Sequence, residues 1–182
     1  LSLITIYRSR PLSGKAPPED HSIWYRTAVP YNNAGYTHGV GAMIQGEDGM
    51  IYLNSGSRTD SGELGQYPGW YEGGEVDLPA CIWRMDPESK QPEPEIFARG
   101  IRNIWDFCWT PDGELLMTDN GPHAHAPEEL NIIEKGKHYG FPYEFGDTSA
   151  SDFFHHAPEK PADLELIRPL PTVGPDSGGS QE

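Results

Sequence analysis

An imidazole and a guanidinium stand at equivalent places in this 182-residue chain, each beside a short set of polar and backbone groups. His38 offers a base with a pKa near neutrality. Arg102 offers a cation that stays charged and presents a planar fork of donors. Asn103 follows Arg102 directly, and Asp119-Asn120-Gly121-Pro122 comes 17 positions on. A shift of 64 residues lays His38 on Arg102, Gly56 on Asn120 and Ser57 on Gly121. If the two stretches are copies of one structural unit, a base and a permanent cation converge on one side of the molecule. A ligand there would meet both.

The elements that must hold these groups read as short antiparallel strands. Ile104 to Thr110 and Glu114 to Asp119 have strand composition and flank Pro111-Asp112-Gly113, a strong hairpin signal. Arg102-Asn103 precedes the first strand and Asp119 to Pro122 closes the second, so both sets fall on one rim of the hairpin. Under the same shift Gln45 to Asn54 matches Trp109 to Thr118, with the Asp-Gly turns coinciding. Each copy has a third run, Cys81 to Asp86 and Leu130 to Lys135, and the first copy adds a fourth, Glu95 to Arg99. Four-stranded antiparallel units in tandem are the blades of a β-propeller, whose repeat is usually about 40 to 50 residues. The surplus length is an insertion. Ser61 to Asp77, rich in Gly and Tyr, reads as a long loop on the blade rim.

Apolar residues at helical spacing are absent, and Pro or Gly interrupts most stretches, which predicts an all-β chain. The expected architecture is a partial β-propeller of about two to three four-stranded antiparallel blades. Leu1 to Tyr7 supplies the last strand of one blade, and residues 143–182 form a Pro- and Gly-rich connection. On this reading residues 1–182 are one fragment of a single propeller domain. With 28 acidic against 13 basic residues the net charge is −15, which argues against nucleic acid or an anionic membrane as the main partner. No apolar run approaches the roughly 18 residues that span a bilayer. The 21 glycines and 18 prolines are spread through the chain and fall short of a disordered composition. Two cysteines, Cys81 and Cys108, exclude a disulfide framework and leave one bridge open.

Residues 37–142 resemble the glucose and sorbosone dehydrogenase family, soluble quinoprotein sugar dehydrogenases on a six-bladed propeller. The resemblance rests on Gly100-Ile101-Arg102-Asn103, Thr118-Asp119-Asn120-Gly121-Pro122, and Glu129 to Gly136 running into Tyr139-Gly140-Phe141-Pro142. It implies pyrroloquinoline quinone with calcium, an aldose or a related alcohol or aldehyde as hydride donor, and an external electron acceptor. It further implies a periplasmic or secreted location and leaves a homodimer open. By the same resemblance His38 is the general base and Arg102 stabilises negative charge on the quinone oxygens. Asn103 and Asn120 add amide hydrogen bonds to the cofactor, and Gly121 and Pro122 offer carbonyls to its calcium. Glu129 and Tyr139 match positions that bind a second, structural calcium in some members, with Asp147 a weaker candidate. Thr37 stands where some members carry Asp, and Ser57 where many do, so sugar contacts can differ.

Blander readings compete at each position. His38 could be a hydrogen-bonded histidine at a strand start, and Arg102 a rim arginine paired with Asp106 or Asp119. Gly121-Pro122 could be an ordinary turn, and Glu129 a solvated acid. His123 and His125 lack the further ligands that zinc needs, and His155-His156 lies in a polar stretch. Tyr67, Trp70 and Tyr71 in the insertion could stack on a sugar or anchor their own loop. Two other functions share the fold: a non-enzymatic binding propeller, and a calcium-dependent lactonase or other hydrolase with a carboxylate-rich metal centre.

Overall fold

A computed structural model describes residues 1–10, 20–31, 38–63, 74–122, 126–154 and 157–174. The chain is all-β, with one four-residue helix among the described residues, α1 (Ala150–Phe153). Strands β1 (Ser2–Ser9) and β2 (His21–Val29) form an antiparallel pair. Next comes a four-stranded antiparallel meander of β3 (Val40–Gln45), β4 (Ile51–Ser55), β5 (Cys81–Met85) and β6 (Glu95–Arg99). A second four-stranded sheet holds β7 (Ile104–Trp109), β8 (Leu115–Asp119), β9 (Glu128–Ile133) and, after the small hairpin of β10 (Glu144–Phe145) and β11 (Thr148–Ser149), β12 (Thr172–Val173). Two expectations change here. The first pair contributes two strands rather than one, and the Pro-rich stretch supplies an outer strand, with Thr172 opposite Glu129 and Val173 opposite Glu128.

The repeat holds at the level of single hydrogen bonds. In the first turn Gly46 N–H donates to Met50 O and Gly49 N–H to Gly46 O, both 2.9 Å. In the second, Thr110 N–H donates to Glu114 O (2.8 Å) and Gly113 N–H to Thr110 O (3.0 Å). Gly49 and Gly113 sit at φ 79° and 82°, where a β-carbon would be strained, so glycine is required at this point of both turns. Both first strands also slip register at the same place, between Val40 and Met43 and between Ile104 and Phe107. A bulge strengthens local twist, and here it bends each inner strand in the same way.

The β1–β2 pair and the two four-stranded sheets stack face to face. Side chains alternate across a strand, so Leu53, Cys81 and Trp83 face Ile6, Val29 and Tyr31, while Tyr52 and Ile82 face Ile104, Leu115, Met117 and Ile133. That is why β4 and β5 are buried on both faces, whereas β8 alternates buried and open positions. Each fully buried large apolar side chain contributes roughly 1.5–3 kcal/mol. Polar links join the inner strands. Buried Asn54 accepts from Gly41 N–H (2.9 Å) on β3 and donates to Ile104 O (3.2 Å) on β7, and Trp109 Nε1–H donates to Gln45 O (3.0 Å). Cys81 is buried, Cys108 is exposed, and both are free thiols. Among the described residues no helix is long and apolar enough to cross a membrane.

Candidate functional site

His38 lies two residues before β3, Gly56-Ser57 just after β4, Arg102-Asn103 just before β7, and Asn120-Gly121-Pro122 just after β8. Antiparallel pairing puts all four on one rim. The main chain then ties them together: His38 N–H donates to Ser57 O (3.2 Å), and Ser57 N–H donates to Arg102 O (2.7 Å). His38 and Arg102 are therefore two backbone hydrogen bonds apart, on adjacent sheets. Gly56 N–H donates to Gly39 O and Asn120 N–H to Asn103 O, both 3.0 Å, the same bond in each repeat. Close approach of the chains explains Gly56: a β-carbon there would stand 2.4 Å from His38 Cβ and 2.6 Å from His38 O. Ser57 turns its hydroxyl to Thr59 O (2.6 Å).

Arg102 is buried, at 1% exposure, and each nitrogen of its guanidinium has an acceptor. Nε donates to Asp60 O (3.0 Å), Nη1 to Asn120 O (2.9 Å), and Nη2 makes an ion pair with Asp60 Oδ1. The pairing with Asp106 or Asp119 is thus replaced by one with Asp60. Asp119 takes a different part: its carboxylate accepts the main-chain N–H of Arg102 (2.9 Å) and of Asn103 (2.5 Å), fixing the start of β7. Burial pushes the Asp119 carboxyl up to about 6, against the lowering effect of these bonds and of the nearby guanidinium. Asp60 did not figure among the sequence candidates, and Asp119 figured only within its motif and as an ion-pair partner for Arg102. Asp119 was visible as the acid beside Asn120, but no local pattern announces Asp60, 42 residues from its arginine.

Beyond β8, Gly121 N–H donates to Glu128 Oε2 (3.1 Å). A β-carbon on Gly121 would lie 2.6 Å from Pro127 O and 2.8 Å from Ala126 O, so the turn packs against further carbonyl oxygens. Glu129 is buried and accepts from Gly146 N–H (2.5 Å) and Asn131 Nδ2–H (2.9 Å). Burial first, then the charge of Asp119, raises its carboxyl to about 7. Asn131 Oδ1 beside it is buried with no hydrogen-bond donor among the described residues. Glu129, Tyr139, Asp119, Gly121 and Glu144 line one cavity of ≈ 10 Å³, about the room a single water needs. The Tyr139 hydroxyl is committed elsewhere, donating to Ile132 O (2.8 Å) and accepting from Glu134 N–H (2.7 Å), which leaves its carbonyl as the oxygen it could offer. Asp147 is exposed and lies outside this lining. No group of three or more His, Cys, Asp or Glu side chains is arranged for a metal among the described residues. Carbonyls, a buried carboxylate and an orphan amide oxygen are the donors a hard cation prefers, while Arg102 and the two asparagines suit an anionic, oxygen-rich ring. Thr37, Tyr67, Trp70, Tyr71, His123, His125, His155 and His156 lie outside the described residues.

A second carboxylate system supports the rim from below. Glu75 accepts Arg58 N–H (3.0 Å), Thr59 N–H (2.6 Å) and the Thr59 hydroxyl; Glu63 accepts Asp60 N–H (3.0 Å) and Ser61 N–H (2.7 Å). Burial outweighs those bonds at Glu75 and raises its pKa. Both acids sit at the ends of the stretch read as an insertion.

The family model described as Glucose / Sorbosone dehydrogenase matches residues 11–164. An uncharacterized protein of Borreliella burgdorferi is 35% identical over 154 residues, covering 79% of this chain and 36% of its own length. Quinoprotein glucose dehydrogenase B of Acinetobacter calcoaceticus is 31% identical over 78 residues, 43% of this chain and 16% of that protein. The PQQ-bound form of an aldose sugar dehydrogenase from Streptomyces coelicolor superposes with a TM-score of 0.58 at 20% identity, covering 96% of this chain and 46% of that one. The apo-form of the soluble aldose sugar dehydrogenase from Escherichia coli gives 0.56 at 19%, covering 85% and 45%. At these identities the two structures show a shared fold. The chain spans less than half the length of each of these relatives.

Proposed function

The chain belongs to the Glucose / Sorbosone dehydrogenase family of oxidoreductases, and from that membership we propose that the full-length protein is a quinoprotein that oxidises an aldose sugar or a related alcohol or aldehyde. The observation that carries this reading is the main-chain relay through Ser57, which puts the His38 base and the Arg102 cation on one rim. Pyrroloquinoline quinone with calcium, when bound, supplies the hydride acceptor. His38 takes the substrate hydroxyl proton on an imidazole nitrogen, as a neutral imidazole can. Arg102, held rigidly by its partners, presents fixed positive charge where negative charge develops, with no reorganisation at the moment of reaction. Asn103 and Asn120 would orient the acceptor, and the Gly121 and Pro122 carbonyls would hold its calcium. Glu129 and the Tyr139 carbonyl would hold a second, structural calcium. The same reading includes an external electron acceptor and a periplasmic or secreted location.

The test is reconstitution of the purified full-length apoprotein with pyrroloquinoline quinone and calcium, read by dye reduction over a panel of aldoses and polyols. Activity that needs both additions, and that drops at least 100-fold in His38→Ala, is the expected result. Undiminished dye reduction in that variant, or no quinone binding by the wild type, would overturn the reading.

A further inference from the structure

We propose that Asp60 is a positioning residue for this site, holding the Arg102 guanidinium in a single orientation, and that Glu63 and Glu75 hold Asp60 in turn. The inference rests on the functional reading above for its catalytic part and on geometry alone for its structural part. Two different atoms of Asp60 grip one edge of the guanidinium: its carbonyl oxygen takes Nε–H at 3.0 Å, and its carboxylate pairs with Nη2. Asn120 O takes Nη1 at 2.9 Å. A planar group bonded on its Nε–Nη2 edge cannot rotate about its own axis, so a ligand must approach from the Nη1–Nη2 end. The Arg102 side chain is 2% exposed and that of Asp60 17%, so water screens the pair little and offers the cation no alternative partner.

The loop that delivers Asp60 is built for this. Its four consecutive N–H groups, from Arg58 to Ser61, all point at carboxylates, two at Glu75 and two at Glu63. Gly62 N–H closes the turn on Thr59 Oγ1 (2.9 Å), with Gly62 at φ 80°. With the amide side committed to acids, the Asp60 carbonyl is free to face the arginine. Glu63 and Glu75 belong to the stretch that exceeds the ordinary blade length, so the insertion's two ends are mechanically joined to the cation of the site.

The experiment compares full-length wild type with Asp60→Asn, Asp60→Glu and, as a control, Asp77→Asn, whose carboxylate is 95% exposed and 3.8 Å from Arg99. The first readout needs no cofactor: modification of Arg102 by phenylglyoxal, mapped by mass spectrometry, with the melting temperature measured beside it. Asp60→Asn should raise labelling of Arg102 at least 10-fold while Asp77→Asn leaves it unchanged. The second readout is steady-state kinetics with quinone and calcium: in Asp60→Asn kcat should fall about 10- to 100-fold, the usual cost of losing the partner that orients an active group, with KM for sugar within about 3-fold. Asp60→Glu, which restores the charge, should recover part of the loss. Unchanged labelling in Asp60→Asn overturns the proposal. So does freed Arg102 with undiminished kcat, which would make the pair merely structural. Freed Arg102 in a protein whose wild type never binds quinone leaves the clamp standing and overturns instead the functional reading together with the catalytic role built on it.

Discussion

At the scale of single residues, the tightest constraint on the rim is Gly56, because the chain entering β3 passes where its side chain would be. A methyl group there would sit 2.4 Å from His38 Cβ and 2.6 Å from its carbonyl oxygen, and the backbone oxygen cannot step aside as a flexible side chain could. Gly56→Ala should therefore cost about 1–3 kcal/mol of stability by overpacking. It should also move His38 and weaken the relay through Ser57 to Arg102. The expected result in the full-length protein is a lowered melting temperature with a larger proportional loss of kcat than of quinone affinity. A variant with wild-type turnover would show that His38 need not stand where Gly56 lets it. This pairing was half visible in the sequence: the repeat laid Gly56 on Asn120 and His38 on Arg102, but not that the histidine backbone crosses the glycine. Asp60 was not visible at all, because an acid's partner across 42 residues follows from how a loop folds back, and no period or motif encodes that.

At the scale of elements, the two four-stranded units share turn, bulge and register, yet they use one equivalent position differently. Asn54 on β4 corresponds to Thr118 on β8. Asn54 is buried, accepts Gly41 N–H and donates to Ile104 O, so a single side chain fastens the inner strand of one blade to that of the next. Thr118 is exposed and makes only a 3.5 Å contact to Asp106 O within its own sheet. Asn54→Ala leaves the buried Ile104 carbonyl and the part-buried Gly41 N–H without their partner, which predicts a loss of about 1–3 kcal/mol in denaturant unfolding of the full-length protein. Thr118→Ala should cost less than about 0.5 kcal/mol, as an exposed site does. Equal losses at the two positions would mean that the bridge carries no special weight. Hairpins were readable because an Asp-Gly turn between strand-like runs dictates its own geometry. Strand β12 was not, since two residues in a Pro-rich stretch carry no period, and only the open edge of β9 decides that Thr172 and Val173 pair there.

At the scale of the whole chain, the β1–β2 pair and the two four-stranded sheets stack through apolar cores, and among the described residues each end of the stack leaves large apolar side chains exposed. One end exposes Leu3 (63%) and Ile23 (49%), the other Trp105 (75%) and Leu170 (60%). The inner cores were legible as alternating strands; the outer faces were legible only as more strands, because a sequence does not say which face will find a neighbour. Two forces then compete in the 182 residues expressed alone. A net charge of −15 keeps copies apart, but in about 0.15 M salt the screening length is roughly 8 Å, so repulsion between exposed charges is short-ranged. Covering one large apolar side chain contributes roughly 1.5–3 kcal/mol, and each of the two faces exposes more than one. Apolar contact should win at that salt. Light scattering should show concentration-dependent association there and less of it at about 10 mM salt, where the charges reach further. Leu3→Glu combined with Trp105→Glu should suppress it at both. If the 182 residues instead stay monomeric at physiological salt and melt sharply at a concentration-independent temperature, two open faces are tolerable, and the stack is stable without further sheets to cover them.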